Sequence, residues 1–148
     1  MSHTTTIGTV AVTDIAALRS AVNDLKNSGV QCELVENSKP RMYYTHQEVP
    51  CDYVLKLPLS KYDVGFQKQA NGTYLPITDL YGGHVAGQLG AACPMPNSAE
   101  GRSQHAVGKL MQGYAKHAAT NAARAKGYTV ERSYLDANGA VQLVLAVN

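Results

Sequence analysis

The sequence predicts an α+β protein, a two-layer sandwich of mainly antiparallel sheet with two helices on one face. Three observations predict it. Apolar residues recur at helical spacing in two places, near the start and in the last third of the chain. Around them lie short runs rich in Thr, Val, Ile and Tyr, with turn dipeptides placed to close hairpins. The resulting order is strand, helix, several strands, helix, two strands, in which helices interrupt antiparallel runs rather than alternating with strands. With 148 residues, 1–148 reads as one domain that buries roughly two-thirds of its unfolded surface.

Residues 5–12 read as a first strand from their Thr, Val and Ile content. Thr13 or Asp14 then offers an N-cap for a helix carrying Ile15, Leu18, Val22 and Leu25 at helical spacing, and Gly29 ends it. Residues 30–35 alternate apolar and polar, as a half-buried strand does, and residues 41–44 are expected to continue as its neighbour. Another strand is expected at 53–57. Residues 62–68 and 73–79 form a hairpin around Asn71-Gly72, with Pro76 marking its second arm as an edge or bulged strand.

From Tyr81 the periodicity dissolves into a Gly/Pro-rich loop inserted at about 81–102, long enough to be a functional or a mobile segment. A helix follows over 103–126, with Val107, Leu110, Met111, Tyr114 and Ala118 on its apolar stripe and Gly127 as its stop. Residues 128–134 and 140–147 make a last hairpin around Asn138-Gly139.

Composition excludes several function classes. No stretch approaches the roughly 20 apolar residues of a membrane span, and the N-terminus has no basic-then-apolar signal pattern. Three scattered cysteines without a C-x-x-C pair read as thiols of a reducing compartment, so a cytoplasmic, non-membrane protein is expected. For the same reason Asn71-Gly72-Thr73 reads as a turn and not as a glycosylation site. The net charge of +2 is too small to imply nucleic acid, although six basic against two acidic residues between Glu100 and Arg132 concentrate positive charge on the second helix.

Several segments in order resemble the family catalogued as domain of unknown function 1257, which includes the plastid and cyanobacterial Ycf thirty-five proteins and relatives in phages. The opening Met-Ser-His-Thr-Thr-Thr-Ile is similar to that family's start. Tyr62-Asp-Val-Gly-Phe with Asn71-Gly-Thr-Tyr74 resembles its central hairpin. Gln112-Gly-Tyr-Ala-Lys-His117 with Lys126-Gly-Tyr-Thr-Val resembles its second helix and exit, and Asn138-Gly-Ala-Val-Gln-Leu-Val-Leu its closing hairpin. The chain departs from the pattern where relatives carry tryptophan near Leu80-Tyr81. It has none, and the Gly-rich loop stands there instead. The resemblance implies the fold and a phage or bacterial source, and no activity.

Candidate site residues fall into two groups. Gly82 and Gly87 have the spacing of a phosphate loop, but Gln88-Leu89 stands where Lys and Ser/Thr belong, which rejects nucleotide hydrolysis. A simpler anion site survives, built from Gly82, Gly83 and His84 with Arg102, Ser103 and His105 at the helix start. The second group is the basic helix face, Lys116, His117, Asn121 and Arg124, beside Tyr114; its plain reading is a solvated polar side. The five histidines and three cysteines show no zinc-like pair, so no metal and no cofactor is expected. Cys93 with His84 or His105 is the one nucleophile arrangement to test. Asp63 and Asp79 are expected opposite each other as exposed strand carboxylates, and the tyrosines, Tyr43, Tyr44, Tyr53, Tyr62 and Tyr74 among them, as packing and contact residues.

The preferred reading is a non-enzymatic small binding protein, phage-encoded and homo-oligomeric. It sequesters a small phosphate-bearing anionic ligand or engages a host protein partner through the open sheet face or the 82–105 loop. Two alternatives stand beside it: nucleic-acid binding by the basic helix face, and an enzyme with a Cys/His site in the loop.

Overall fold

A computed structural model describes residues 4–6, 11–44, 48–91, 97–135 and 141–147. It is an α+β fold with two antiparallel sheets. Strands β1 (Thr4–Thr6), β2 (Glu33–Ser38), β3 (Cys51–Lys56), β4 (Val64–Lys68) and β5 (Tyr74–Asp79) form the larger sheet, in the order β1-β5-β4-β3-β2. The C-terminal hairpin, β6 (Tyr128–Leu135) and β7 (Val141–Val147), stays a separate two-stranded sheet with a bulge between Val130 and Arg132. Its expected turn at Asn138-Gly139 lies outside the described residues.

Helix α1 (Ile15–Asn27) joins β1 at one sheet edge to β2 at the other. Asp14 caps it, its carboxylate accepting the Ala17 N–H at 3.0 Å, and Ala17, Leu18, Ala21, Val22 and Leu25 turn inward. The main core joins these to Leu55, Val64 and Phe66 of the sheet and to Leu110 and Tyr114 of α4 (Gly108–Ala125). Alternation along the strands sends Val54, Gly65 and Ile77 to the other face. That face, expected to be open, carries a second cluster in which Met42 packs on Cys51, Val54 and Ile77.

Several boundaries differ from expectation. Residues 41–44 make no strand; they are held across the sheet by side chains from distant residues. The strand read at 30–35 begins and ends three residues later, at Glu33–Ser38. Pro76 sits inside β5, opposite Phe66 of β4 and next to the registered pair Thr6–Ile77. Within the segment read as loop lie a 3-10 turn (Tyr81–Gly83) and helix α2 (His84–Leu89), which exists because Val85 and Leu89, one turn apart, are both fully buried. The single helix read at 103–126 is two, α3 (Ala99–Ala106) and α4, broken at Val107. At the break the backbone of Ala91 comes so close that a Cβ on Gly108 would lie 2.4 Å from that of Ala91. Gly127, at φ 88°, ends α4 as the sequence requires.

Helix α4 also closes the front of α1. The buried Tyr114 hydroxyl accepts the backbone N–H groups of Thr13 at 2.9 Å and Asp14 at 3.1 Å, while Asn121 donates to the Asp14 carboxylate at 3.1 Å. The Asn121 bond first, and then the Ala17 N–H, hold the Asp14 carboxyl below its ordinary range. Two N–H groups therefore depend on one phenol. Tyr114→Phe should destabilise the fold by about 2 kcal/mol in denaturant titration, the price of leaving these donors without a partner.

Candidate functional site

Two buried aspartates organise one corner of the main sheet. Asp63 and Asp79 flank the registered pair Val64–Thr78 of the β4–β5 hairpin, and both are fully buried. This corrects the expectation of exposed strand carboxylates. The reason is that the Arg41–Tyr44 segment folds over them.

Every oxygen of the two carboxylates receives a donor. Asp63 Oδ2 accepts the Arg41 backbone N–H at 2.9 Å and Arg41 Nε at 3.0 Å, and its Oδ1 accepts Arg41 Nη2 at 2.8 Å and the Leu57 N–H at 3.0 Å. Lys56 Nζ stands 3.7 Å from Oδ2. The same Arg41 Nη2 reaches the carbonyls of Leu57 at 2.8 Å and Ser60 at 3.0 Å, clasping the turn before Asp63. Asp79 accepts the Tyr43 N–H through Oδ2 and the Tyr81 N–H through Oδ1, both at 3.0 Å.

Burial alone would raise the Asp63 pKa. The Arg41 hydrogen bond, the Leu57 and Arg41 N–H groups and the Arg41 charge outweigh it and hold the carboxyl below its ordinary value. An acid catalyst needs the opposite shift, so Asp63 is an ionised anchor and not a proton donor.

What the aspartates anchor is aromatic. Tyr43 and Tyr81, whose N–H groups share Asp79, meet edge-on with ring centroids 5.3 Å apart, and Tyr44 meets Tyr43 at 4.8 Å. All three are exposed, at 51% for Tyr43, 38% for Tyr44 and 48% for Tyr81. Beneath them Tyr62 is buried against the His84 ring at 5.6 Å. Burial, and then the nearby Asp79 charge, push the Tyr62 hydroxyl above its ordinary value. The consecutive left-handed glycines Gly82 (φ 71°) and Gly83 (φ 69°) turn the chain from Tyr81 into α2, and a Cβ on Gly82 would strike the His84 ring at 2.8 Å.

The sequence-derived candidates are thus divided. Gly82, Gly83 and His84 belong to this corner, whereas Arg102, Ser103 and His105 lie in α3. Donors counted toward an anion site are engaged: Gly83 N–H bonds the Leu80 carbonyl, Ser98 caps α3 by accepting the Gly101 N–H, and the Ser103 hydroxyl donates to Ala99 O. The His105 carbonyl receives the Ala91 N–H. Cys93 lies outside the described residues, and no metal-holding group of three or more His, Cys, Asp or Glu occurs among those described.

The helix stripe is real but faces α1. Tyr114 and Asn121 hold Thr13 and Asp14, and His117 Nε2 sits 2.6 Å from Asp24 Oδ2. Arg124 is exposed, and Lys116 lines a groove between α1, α4 and β6. Sequence reasoning missed Arg41 and Tyr81 as site residues. The signal available was the pair of aspartates flanking one hairpin register.

Asp63→Ala should cost about 3 kcal/mol in chemical denaturation, because it leaves a guanidinium and a buried N–H without their acceptor. The pH dependence has a defined sign. With its folded pKa below the unfolded value of about 3.9, Asp63 stabilises fully above that value and its contribution fades as pH falls through the folded one. The stability gap between the parent and Asp63→Asn, measured at about pH 7 and again near about pH 3, should therefore narrow in acid.

No curated protein and no solved structure matches the chain. The family model described as Protein of unknown function (DUF1257) matches residues 21–144, from within α1 to within β7. That span takes in the aspartate corner and the whole of α4, and the chain belongs to the DUF1257 family.

Proposed function

We propose that the chain is a non-enzymatic binding protein that works by protein–protein contact at the tyrosine corner, and that the protein it meets there is a second copy of itself. The observation that carries this reading is the trio of exposed tyrosines in which Tyr43 meets Tyr44 and Tyr81 edge-on, with the backbones of Tyr43 and Tyr81 held by Asp79. Tyrosine is enriched at interface hot spots because it buries a large rigid surface at small entropic loss while its hydroxyl stays paired. Leu59, 63% exposed, lies in the turn that Arg41 clasps.

Charge supports a like partner. The Arg41 guanidinium is paired with Asp63, and both aspartates are fully buried, so neither presents an exposed carboxylate to a second copy of this corner. Edge-to-face aromatic contacts suit a two-fold interface, in which one patch must complement itself. A cytoplasmic setting belongs to the same proposal. Cys32 and Cys51 are buried free thiols, and burial, with the Asp52 charge, pushes Cys51 up to about 11, which keeps it in the thiol form.

Sedimentation equilibrium of the full chain tests the reading. The parent should dimerise, and the exposed-site double variant Tyr43→Ser/Tyr81→Ser should weaken association by at least about 30-fold, equivalent to about 2 kcal/mol at a hot spot, with its melting curve retained. A monomeric parent, or a dimer that the double variant leaves intact, overturns it.

A further inference from the structure

A second surface, separate from the tyrosine corner, carries unused charge. Between α1, α4 and β6 lies a groove of about 340 Å³, within the size range of small-ligand sites. Ala21 and Leu25 of α1 and Gly113 of α4 make its apolar floor. Lys109 and Lys116 lie on the same stripe of α4, one turn to either side of Gly113, and both line the groove. A Cβ at Gly113 would already touch that of Ala21 at 3.4 Å, so any longer side chain there would fill the space between the lysines.

The electrostatics of the groove are unbalanced. Among the described residues neither lysine lies within 4.0 Å of a carboxylate. The acid that does line the groove, Asp24, is held by His117 at 2.6 Å. Two flexible ammonium groups are therefore left facing one gap. Seven residues separate them by about 10.5 Å along the helix, a distance that two lysine stems can close onto one group lying over Gly113. Two cations on one group suit a phosphate, which carries about −1.5 to −2 charges near neutral pH, better than a singly charged carboxylate. The far wall is Tyr134, 47% exposed, with the Arg132 guanidinium 5.4 Å from its ring centroid on β6. Tyr134 and Leu25 together give the groove an apolar wall for a planar group.

We propose that this groove binds a small phosphorylated ligand with a planar ring, of the nucleotide class, its phosphate between Lys109 and Lys116 and its ring against Tyr134 and Leu25. The site is independent of the dimer contact, so either can fail without the other.

Calorimetric titration of the full chain with ADP, adenosine and inorganic phosphate tests it. ADP should saturate one site below about 1 mM and bind at least about tenfold more tightly than either adenosine or phosphate, because each supplies only half of the recognition. Lys109→Glu and Lys116→Glu should each weaken ADP by about tenfold or more, and Tyr134→Ala by about fivefold. Arg124→Glu, an equal charge change on the exposed part of the same helix, should stay within about twofold, since distant surface charges are screened. All four side chains reach solvent, and melting curves check that the variants keep the fold. Failure of ADP to saturate overturns the proposal, as does equal binding of adenosine or phosphate, or an Arg124→Glu loss as large as that of the lysine variants.

Discussion

The Asp63 carboxylate is the constraint on which the rest of this structure depends. It draws donors from two stretches of chain: the Arg41 backbone and guanidinium, and the adjoining Leu57 N–H and, more loosely, Lys56 ammonium. These stretches have little else to fix them, since residues 40–44 are neither helix nor strand and the turn at 57–60 has one short backbone bond, Ser60 N–H to Leu57 O at 2.9 Å. A buried ion pair is weak evidence of stability as such, because desolvation offsets much of the attraction. Its contribution here is positional. An apolar replacement of similar volume could pack as well, but it could not dictate that Arg41, Leu57 and Ser60 meet at one point. Asp79 does the same for Tyr43 and Tyr81, which is why two tyrosines 38 residues apart in sequence share one surface.

Helix α4 shows a comparable economy around its circumference. One stripe buries Leu110 in the main core, a second presents Tyr114, His117 and Asn121 to α1, and other residues meet β6 and β7. Tyr114 and Asn121 satisfy the donors and the capping acid at the N-terminus of α1, and His117 pairs with Asp24 near its other end. They are therefore unavailable to an outside phosphate. Lys109 and Lys116 are different, since among the described residues no carboxylate lies within 4.0 Å of either.

Much of the fold was legible in the sequence, and the reasons are local. Helix α1 declares itself through Asp14 and the spacing of Leu18, Val22 and Leu25, and the β4–β5 hairpin through Asn71-Gly72, whose Asn71 side chain accepts the Thr73 N–H at 3.1 Å. Gly127 marks the end of α4 by the positive φ it adopts. What was illegible depends on distant partners. Residues 41–44 have β-type tyrosines, yet donors to carboxylates 22 and 36 residues away decide their path. Helix α2 holds a glycine and lies between others, so propensity argues against it; burial of Val85 and Leu89 overrides that. The candidate site followed the same division. Its members Gly82, Gly83 and His84 were found by composition, but their neighbours Arg41, Tyr43 and Asp79 come together only through tertiary hydrogen bonds.

The two surfaces differ in what they demand of the chain. The tyrosine corner is rigid: its side chains rest on backbone that saturated carboxylates hold, so it can present a fixed shape to a partner with little ordering left to lose. The lysine groove is rigid only in its floor, where α1 and α4 meet at Ala21 and Gly113, while its charged groups sit on flexible stems. A rigid neutral patch suits a large partner whose shape must match, and a mobile charged rim suits a small ion that it can close around. The sequence puts its positive charge on the second helix and a cluster of glycines just before it. The structure sets two lysines of that charge along one groove, and it gives the loop's first residues to the aromatic corner instead.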